Sequence, residues 1–494
     1  MFSWKKAVLA IGLASVFSCQ TFTSSDRNVA QEQNQEVKYF DRLQDYKPYK
    51  YEVLFTDPEC GVYTYTEEIK SVSGKVLKQK PQNVYCKNRY DLSRSGSRPQ
   101  SPQYRLVEWI NQPNVKEIFF TYLSFRNKTV KNALCEVAKK GVKIKFVMSS
   151  TEDTTIAQEL VACAPENIEM KTRGMEGDLG YAHNKFFIIN PNSKSEFKVV
   201  FSSGNMTSGP VIHHENWNFI TTNANSQFAQ SHVCAMNAEW DEVAGRSRNA
   251  YIKAISACRS AIKAPVEKDI KVFFVPGEGE PEKFGQSKKT AVDYLLYGDA
   301  EAGTPGINNA KRIWLACHRF FYSKMVSALS KRMSSKFRPD LRIVCDDDTY
   351  YKAVDPDNAV GDTMPEEYYK MQSLQKQGAE LKFMETNGDE HQLHHSKYLI
   401  FASKNSNASK NTNGDQPEDF TAVFTGSANL TGAGFNKNWE NSYYITIPEV
   451  VYRFADHYVH TWENLATAVP NLPAAGNAGS FLIDQPIINK NGDK

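Results

Sequence analysis

Two short segments, His183-Asn184-Lys185 and His395-Ser396-Lys397, each put an imidazole and an ammonium on alternate residues before an apolar run, FFII and YLIF. Ten histidines in a lysine-rich chain make one such triplet commonplace. Two further elements lift the pair above coincidence. Ser203-Gly204-Asn205-Met206-Thr207 follows the run VVFS, and Ser427-Ala428-Asn429-Leu430-Thr431 follows AVFTG. Glu215-Asn216 and Glu440-Asn441 then stand ten and eleven residues beyond the asparagines. Imidazole titrates near neutrality, so one ring can be a neutral nucleophile while its partner is a protonated acid. Lys185 and Lys397 would neutralise an anion. The amides of Asn205 and Asn429, and the hydroxyls of Ser203 and Ser427, would donate hydrogen bonds to its oxygens. Glu215 and Glu440 suit the far nitrogen of a histidine, where a carboxylate fixes the tautomer and raises basicity.

The elements that must position these residues are also written twice. Val53 to Phe55 and Val272 to Val275 predict short strands that end in turns. KEIFFTYLSF (116–125) predicts a strand, Val130 to Lys140 a helix and KIKFVMS another strand; RIWLACHRFF (312–321), Lys324 to Met333 and LRIVC repeat the order. Strand–helix–strand alternation implies parallel units and an α/β class, here two pseudo-symmetric α/β/α sandwich lobes. The lobes are expected over 48–245 and 270–466, joined by a helix within 246–269 and preceded by a polar tether over 19–47. A polar insertion at 404–418 and a loose tail over 467–494 complete the chain. Trp240 and Trp462, matched on the closing helices, read as core anchors.

With these motifs the chain resembles the phospholipase D superfamily of phosphodiesterases over nearly all of residues 48–466. The resemblance implies that both lobes bring their motifs to one cleft. It implies His183 as nucleophile forming a phosphohistidine and His395 as the acid that then activates water, with the reverse assignment open. It departs from the family pattern at Asn190 and Ala402, where an aspartate is usual, and at Ser202, where the second copy has Gly426. No cofactor is expected, and no metal: two lysines in the cleft would repel a divalent cation, and no carboxylate cluster accompanies the histidines. His213, His214, His318, His391 and His394 lack repeated partners and read as packing or surface residues, with His394 a candidate to line the cleft.

The chain of 494 residues carries 59 Lys+Arg against 56 Asp+Glu, too balanced to identify a nucleic-acid binder. No apolar run reaches the ~18 residues of a membrane span. Lys5 and Lys6, the apolar stretch Ala7 to Phe17 and Cys19 form an export signal over 1–18 that resembles the lipoprotein type, with lipidation at Cys19, plain secretion or an uncleaved anchor as alternatives. An envelope or extracellular address, outer membrane by preference, follows, and with it phospholipid as the favoured substrate, nucleic acid as the rival and an inactive envelope scaffold as a third reading. No obligate protein partner is inferred. Eight further cysteines, taken in order, could close local loops as 60–86, 135–163, 234–258 and 317–345, although 105 pairings are formally open.

Overall fold

Each of the two apolar-rich halves folds into a twisted mixed sheet. The computed structural model describes residues 40–43, 48–56, four short strands between 61 and 85, 95–281, 289–354, 366–384, 386, 392–404 and 417–473. The export signal with Cys19, most of the tether, His391, Cys60 and Cys86 lie outside the described residues.

In the first lobe the strands are β1 (Phe40–Leu43), β2 (Pro48–Phe55), β7 (Glu117–Tyr122), β8 (Lys143–Ser149), β9 (Ile168–Arg173), β10 (Phe186–Ile189), β11 (Glu196–Ser202) and β12 (Asn216–Asn223), in the order β1-β2-β12-β11-β10-β7-β8-β9. The short strands β3 (Gly61–Tyr63), β4 (Glu68–Lys70), β5 (Val76–Gln79) and β6 (Asn83–Tyr85) form two separate pairs. The second lobe has β13 (Ile270–Val275), β14 (Arg312–Cys317), β15 (Asp340–Asp346), β16 (Glu380–Met384), β17 (Lys397–Ala402), β18 (Phe420–Gly426), β19 (Glu440–Ile445) and β20 (Ala466–Ala468), in the order β13-β19-β18-β17-β14-β15-β16-β20. Without β1 and β20 the two orders are identical, strand for strand. The duplication in the sequence is therefore a duplication of topology. The two extra strands correct the expected boundaries: β1 lies inside the expected tether, and β20 crosses into the expected tail.

In each lobe three neighbouring strands towards one side of the sheet are parallel, β7-β8-β9 and β14-β15-β16. Helices α1 (Pro102–Ile110), α2 (Lys128–Lys139) and α3 (Thr155–Cys163) bury the apolar face of the first sheet. Asn127 caps α2 by accepting from Val130 N. The opposite faces of both sheets share one core with α4 (Gln227–Trp240), α5 (Arg248–Ala261) and α6 (Pro448–His460). There Tyr443 stacks on Phe201 with centroids 3.6 Å apart, and Tyr251 on Trp439 at 5.0 Å. Trp462 is buried as expected; Trp240 is only half-buried, with Lys145 and Lys171 over its ring.

Cys135–Cys163 and Cys234–Cys258 are disulfides, tying α2 to α3 and α4 to α5. Cys317 and Cys345 are free and buried, side by side on the parallel pair β14–β15. Their Sγ atoms lie 2.9 Å apart without a bridge, so this one of the possible local loops is left unbonded. Among the described residues, no helix is long and apolar enough to cross a membrane.

Candidate active site

Strand register explains why three motifs spread over 30 to 50 residues meet. Phe186 at the start of β10 faces Phe201 at the end of β11, and Ser202 faces Trp217 at the start of β12. The second lobe repeats this through Tyr398–Thr425 and Gly426–Ser442. Phe186 also faces Thr121, so every motif lies at the edge where the parallel strands end, the edge at which open α/β sheets bind ligands.

The two edges are stitched together reciprocally. His183 N donates to Trp439 O (3.0 Å), and His395 N donates to His214 O (2.9 Å). Each motif histidine is thus anchored to the residue preceding the other lobe's glutamate. The side chains follow. His183 Nδ1 lies 2.7 Å from Glu440 Oε2, and His395 Nδ1 lies 3.1 Å from Glu215 Oε1. An ionised carboxylate only accepts, so each ring carries its proton on Nδ1 and keeps Nε2 for chemistry. Lys185 Nζ stands 2.9 Å from His183 Nε2 and donates to His183 O. Lys397 Nζ donates to His395 O and, across the interface, to Ser203 O.

A family model described as "Cardiolipin synthase, PLD-like domain" matches residues 106–240 and 305–462, more than half of the chain. The chain belongs to the phospholipase D-like family. No curated protein matches its sequence. It is similar to the phosphatidylserine synthase of Haemophilus influenzae (12% identity, 74% of this chain and 85% of that one, TM-score 0.49). It is also similar to the phospholipase D family member Nuc from Salmonella typhimurium (20%, 40% and 97%, 0.26) and to yeast tyrosyl-DNA phosphodiesterase (11%, 69% and 86%, 0.43).

Within this phospholipase D-like site some expected roles change. The hydroxyl of Ser427 donates to Glu440 Oε2 (2.5 Å) and accepts from Asn441 N, and that of Ser203 accepts from Asn216 N. Both serines are fully buried: Ser427 braces the Glu440 carboxylate, and both hold the start of the following strand. Asn205 and Asn429 each keep a buried Oδ1 without a hydrogen-bond partner in the described structure. Asn190 stands at the far end of β10 from His183, accepting from the backbone of Lys116 and Glu117; Ala402, at the far end of β17, accepts from Lys311 N. The missing aspartates therefore belong to strand-end bracing, away from the histidines.

Two residues read as packing belong to the site. His213 Nδ1 lies 3.1 Å from Glu215 Oε1, the same oxygen that meets His395. The His318 ring is 4.9 Å from that of His395. Their only signal in the sequence was position: His213 is two residues before Glu215, and His318 directly follows β14. Buried His394 lies 6.3 Å from His214 by ring centroids, and its backbone N donates to Asp346 Oδ2. His213, Glu215 and His395 also present ligand atoms within 4.8 Å of one another. The two lysines share this cleft, so the donor set does not favour a cation over a proton here.

Burial sets the protonation of the site. It pulls His183 down to about 4 despite Glu440, and Lys185 down to about 7 against the pull of both glutamates. His395 and Lys397 are likewise held well below their usual ranges, first by burial, and each histidine is lowered further by the other lobe's lysine. At pH 7 the empty site thus holds fewer protons than its composition implies. A bound anion favours the cationic forms, so binding must take protons up. Calorimetry of tungstate binding at pH 7 in buffers of different ionisation enthalpy is expected to show net uptake, and affinity is expected to fall as pH rises above 7. Net release would contradict the burial argument.

Gly204 makes a second prediction. A Cβ there would fall inside the Glu215 carboxylate, whereas its counterpart Ala428 already carries one. Gly204→Ala is expected to displace Glu215 and lower kcat by at least ~10²-fold, the scale of a lost acid–base contribution. The melting temperature, followed alongside, tells this apart from general unfolding.

Proposed function

We propose that this protein is an exported phosphodiesterase that cleaves its substrate in two steps through a phosphohistidine. The observation that carries the reading is the reciprocal pairing of His183 with Glu440 and His395 with Glu215 beside two buried lysines. A phosphodiester resists attack because it is anionic and its ester oxygen leaves poorly. Lys185 and Lys397 neutralise the non-bridging oxygens, and the protons taken up on binding supply the acid. Nε2 of His183 then bonds to phosphorus as the leaving oxygen departs with a proton from His395. In the second step His395 accepts a proton from water, whose oxygen displaces His183. An alcohol in place of water gives transfer.

Location favours phospholipid: an envelope protein anchored through Cys19 sits beside that substrate. One observation favours the nuclease reading. Two cationic side chains, Arg126 and Lys128, stand on the wall beside Asn205 and His213, where a nucleic-acid backbone would use them. Release of product from phosphatidylcholine vesicles and from single- and double-stranded DNA, with chelator present, separates the two. A wild type as inert as His183→Ala on every diester would leave only the scaffold reading.

A further inference from the structure

A cavity of about 1000 Å3 opens on the first-lobe side of the reaction centre, with Asn205 and His213 among its lining residues. It adjoins the centre through His213, whose Nδ1 lies on the same Glu215 oxygen that meets His395. Ser124 lines it too, only 4% exposed, with an Oγ that has no hydrogen-bond partner in the described structure. A buried hydroxyl left unpaired is costly unless a ligand satisfies it. Arg126 and Lys128 flank Asn127 at the N-terminus of α2, where the helix dipole adds to their positive charge. Arg126 is half exposed and pairs with Glu152 at 3.4 Å, the one carboxylate in the lining. Lys128 is exposed in the same lining.

The second copy shows that this opening is one-sided. Phe125 and Phe320 make matching bridges to Met206 and Leu430, so Ser124 corresponds to Arg319 and Arg126 to Phe321. Arg319 holds Asp348 with two hydrogen bonds (2.9 and 2.6 Å) and reaches Glu367 at 3.2 Å. What is an unpaired hydroxyl beside a cavity in the first lobe is an internal ion-pair cluster in the second. A substrate therefore lies unevenly across the pseudo-twofold axis, with its larger polar part towards Ser124.

We propose that this cavity is a subsite for a second phosphate: the substrate is a nucleic-acid strand whose neighbouring phosphate meets Arg126, Lys128 and Ser124 while the scissile one lies between the histidines. Tyr104, 43% exposed in the same lining, offers a ring for a base, which a strand would use and a bare phosphate would not. The inference rests on the phosphodiesterase reading above and sharpens its substrate class.

The test uses thymidine p-nitrophenyl phosphates with and without a further phosphate on the other sugar hydroxyl, in both polarities. In one polarity the added phosphate is expected to raise kcat/KM by roughly tenfold or more, the scale of one charge-assisted contact. In the Arg126→Gln/Lys128→Gln double variant that ratio is expected to fall towards one. Equal rates in both polarities, a ratio that survives in the double variant, or faster turnover of phosphatidylglycerol vesicles than of either ester would overturn the subsite. Calorimetric binding of a thymidine dinucleotide with and without its terminal phosphate reads the subsite without turnover. A preference there, lost in the double variant, upholds the subsite even if no ester is cleaved, in which case the phosphodiesterase reading alone fails.

Discussion

Alanine at His183 is expected to abolish turnover, by about 10⁴-fold or more, whereas alanine at His395 is expected to leave a covalent adduct that accumulates on His183. The asymmetry comes from the two steps. Without His183 there is no nucleophile. Without His395 a poor leaving group stays, but p-nitrophenolate leaves without protonation, so the first bond still forms and the water that should break it is not activated. Intact-mass measurement of His395→Ala after mixing with a p-nitrophenyl diester, then peptide mapping under alkaline conditions, should place the added phosphoryl group on His183. A burst of nitrophenolate equal to the enzyme concentration should accompany it. The glutamates argue for this polarity. Glu440 is pinned by the neutral donors Ser427 and Asn438, which suits a ring that must hold still for attack. At Glu215 the place of Asn438 is taken by His213, a second ionisable ring on the carboxylate that serves His395. Label on His395 after His183→Ala would reverse the two roles.

Much of this was legible because it is local. Alternating strand and helix patterns gave both lobes, and the α/β class follows from their order. The identical order of seven strands in each sheet is the topological form of the repeat that the residues already showed. The helix between the lobes, Arg248–Ala261, falls inside the expected connector. The edge strands escaped because an edge pairs on one side only and needs little apolar pattern. β1, FDRL, has two charged residues among its four.

The parts of the site hidden from the sequence are mostly non-local. Ten- and eleven-residue spacing ties each glutamate to its own asparagine, yet the histidine it serves lies in the other lobe, 257 residues away for His183–Glu440 and 180 for His395–Glu215. Nothing in local spacing encodes an exchange across an interface. Ser427 carries a role of the same hidden kind: its hydroxyl donates to Glu440, the carboxylate that serves His183 of the other lobe. Cys317 and Cys345 do meet in register on parallel strands, with Sγ atoms 2.9 Å apart, although no bond joins them. An even spacing along the chain says nothing about side-chain geometry across a sheet.

That exchange makes the second large prediction. Glu440→Gln and Glu215→Gln keep size and shape but replace an acceptor with a group that can also donate towards Nδ1, so each ring is free to adopt the wrong tautomer. Each is expected to cost about 10³- to 10⁴-fold in kcat, the scale seen when a triad carboxylate becomes an amide. The costs should fall on different steps. Loss of Glu440 disables His183, so Glu440→Gln is expected to slow the burst itself. Loss of Glu215 disables His395, so Glu215→Gln is expected to preserve a burst with an activated leaving group and to slow hydrolysis of the phosphohistidine. The carboxylate also supports the charged form of a ring whose proton affinity burial already depresses; for His183, Glu440 is the chief group acting against that burial. Its removal drives the pKa down further, so the acidic limb of the rate profile should move to lower pH in Glu440→Gln. Were each glutamate instead to serve the histidine of its own lobe, the burst phenotypes would be exchanged: Glu215→Gln would lose the burst and Glu440→Gln would keep it. Pre-steady-state mixing of the two variants with one p-nitrophenyl diester therefore reads the interlobe geometry directly from kinetics.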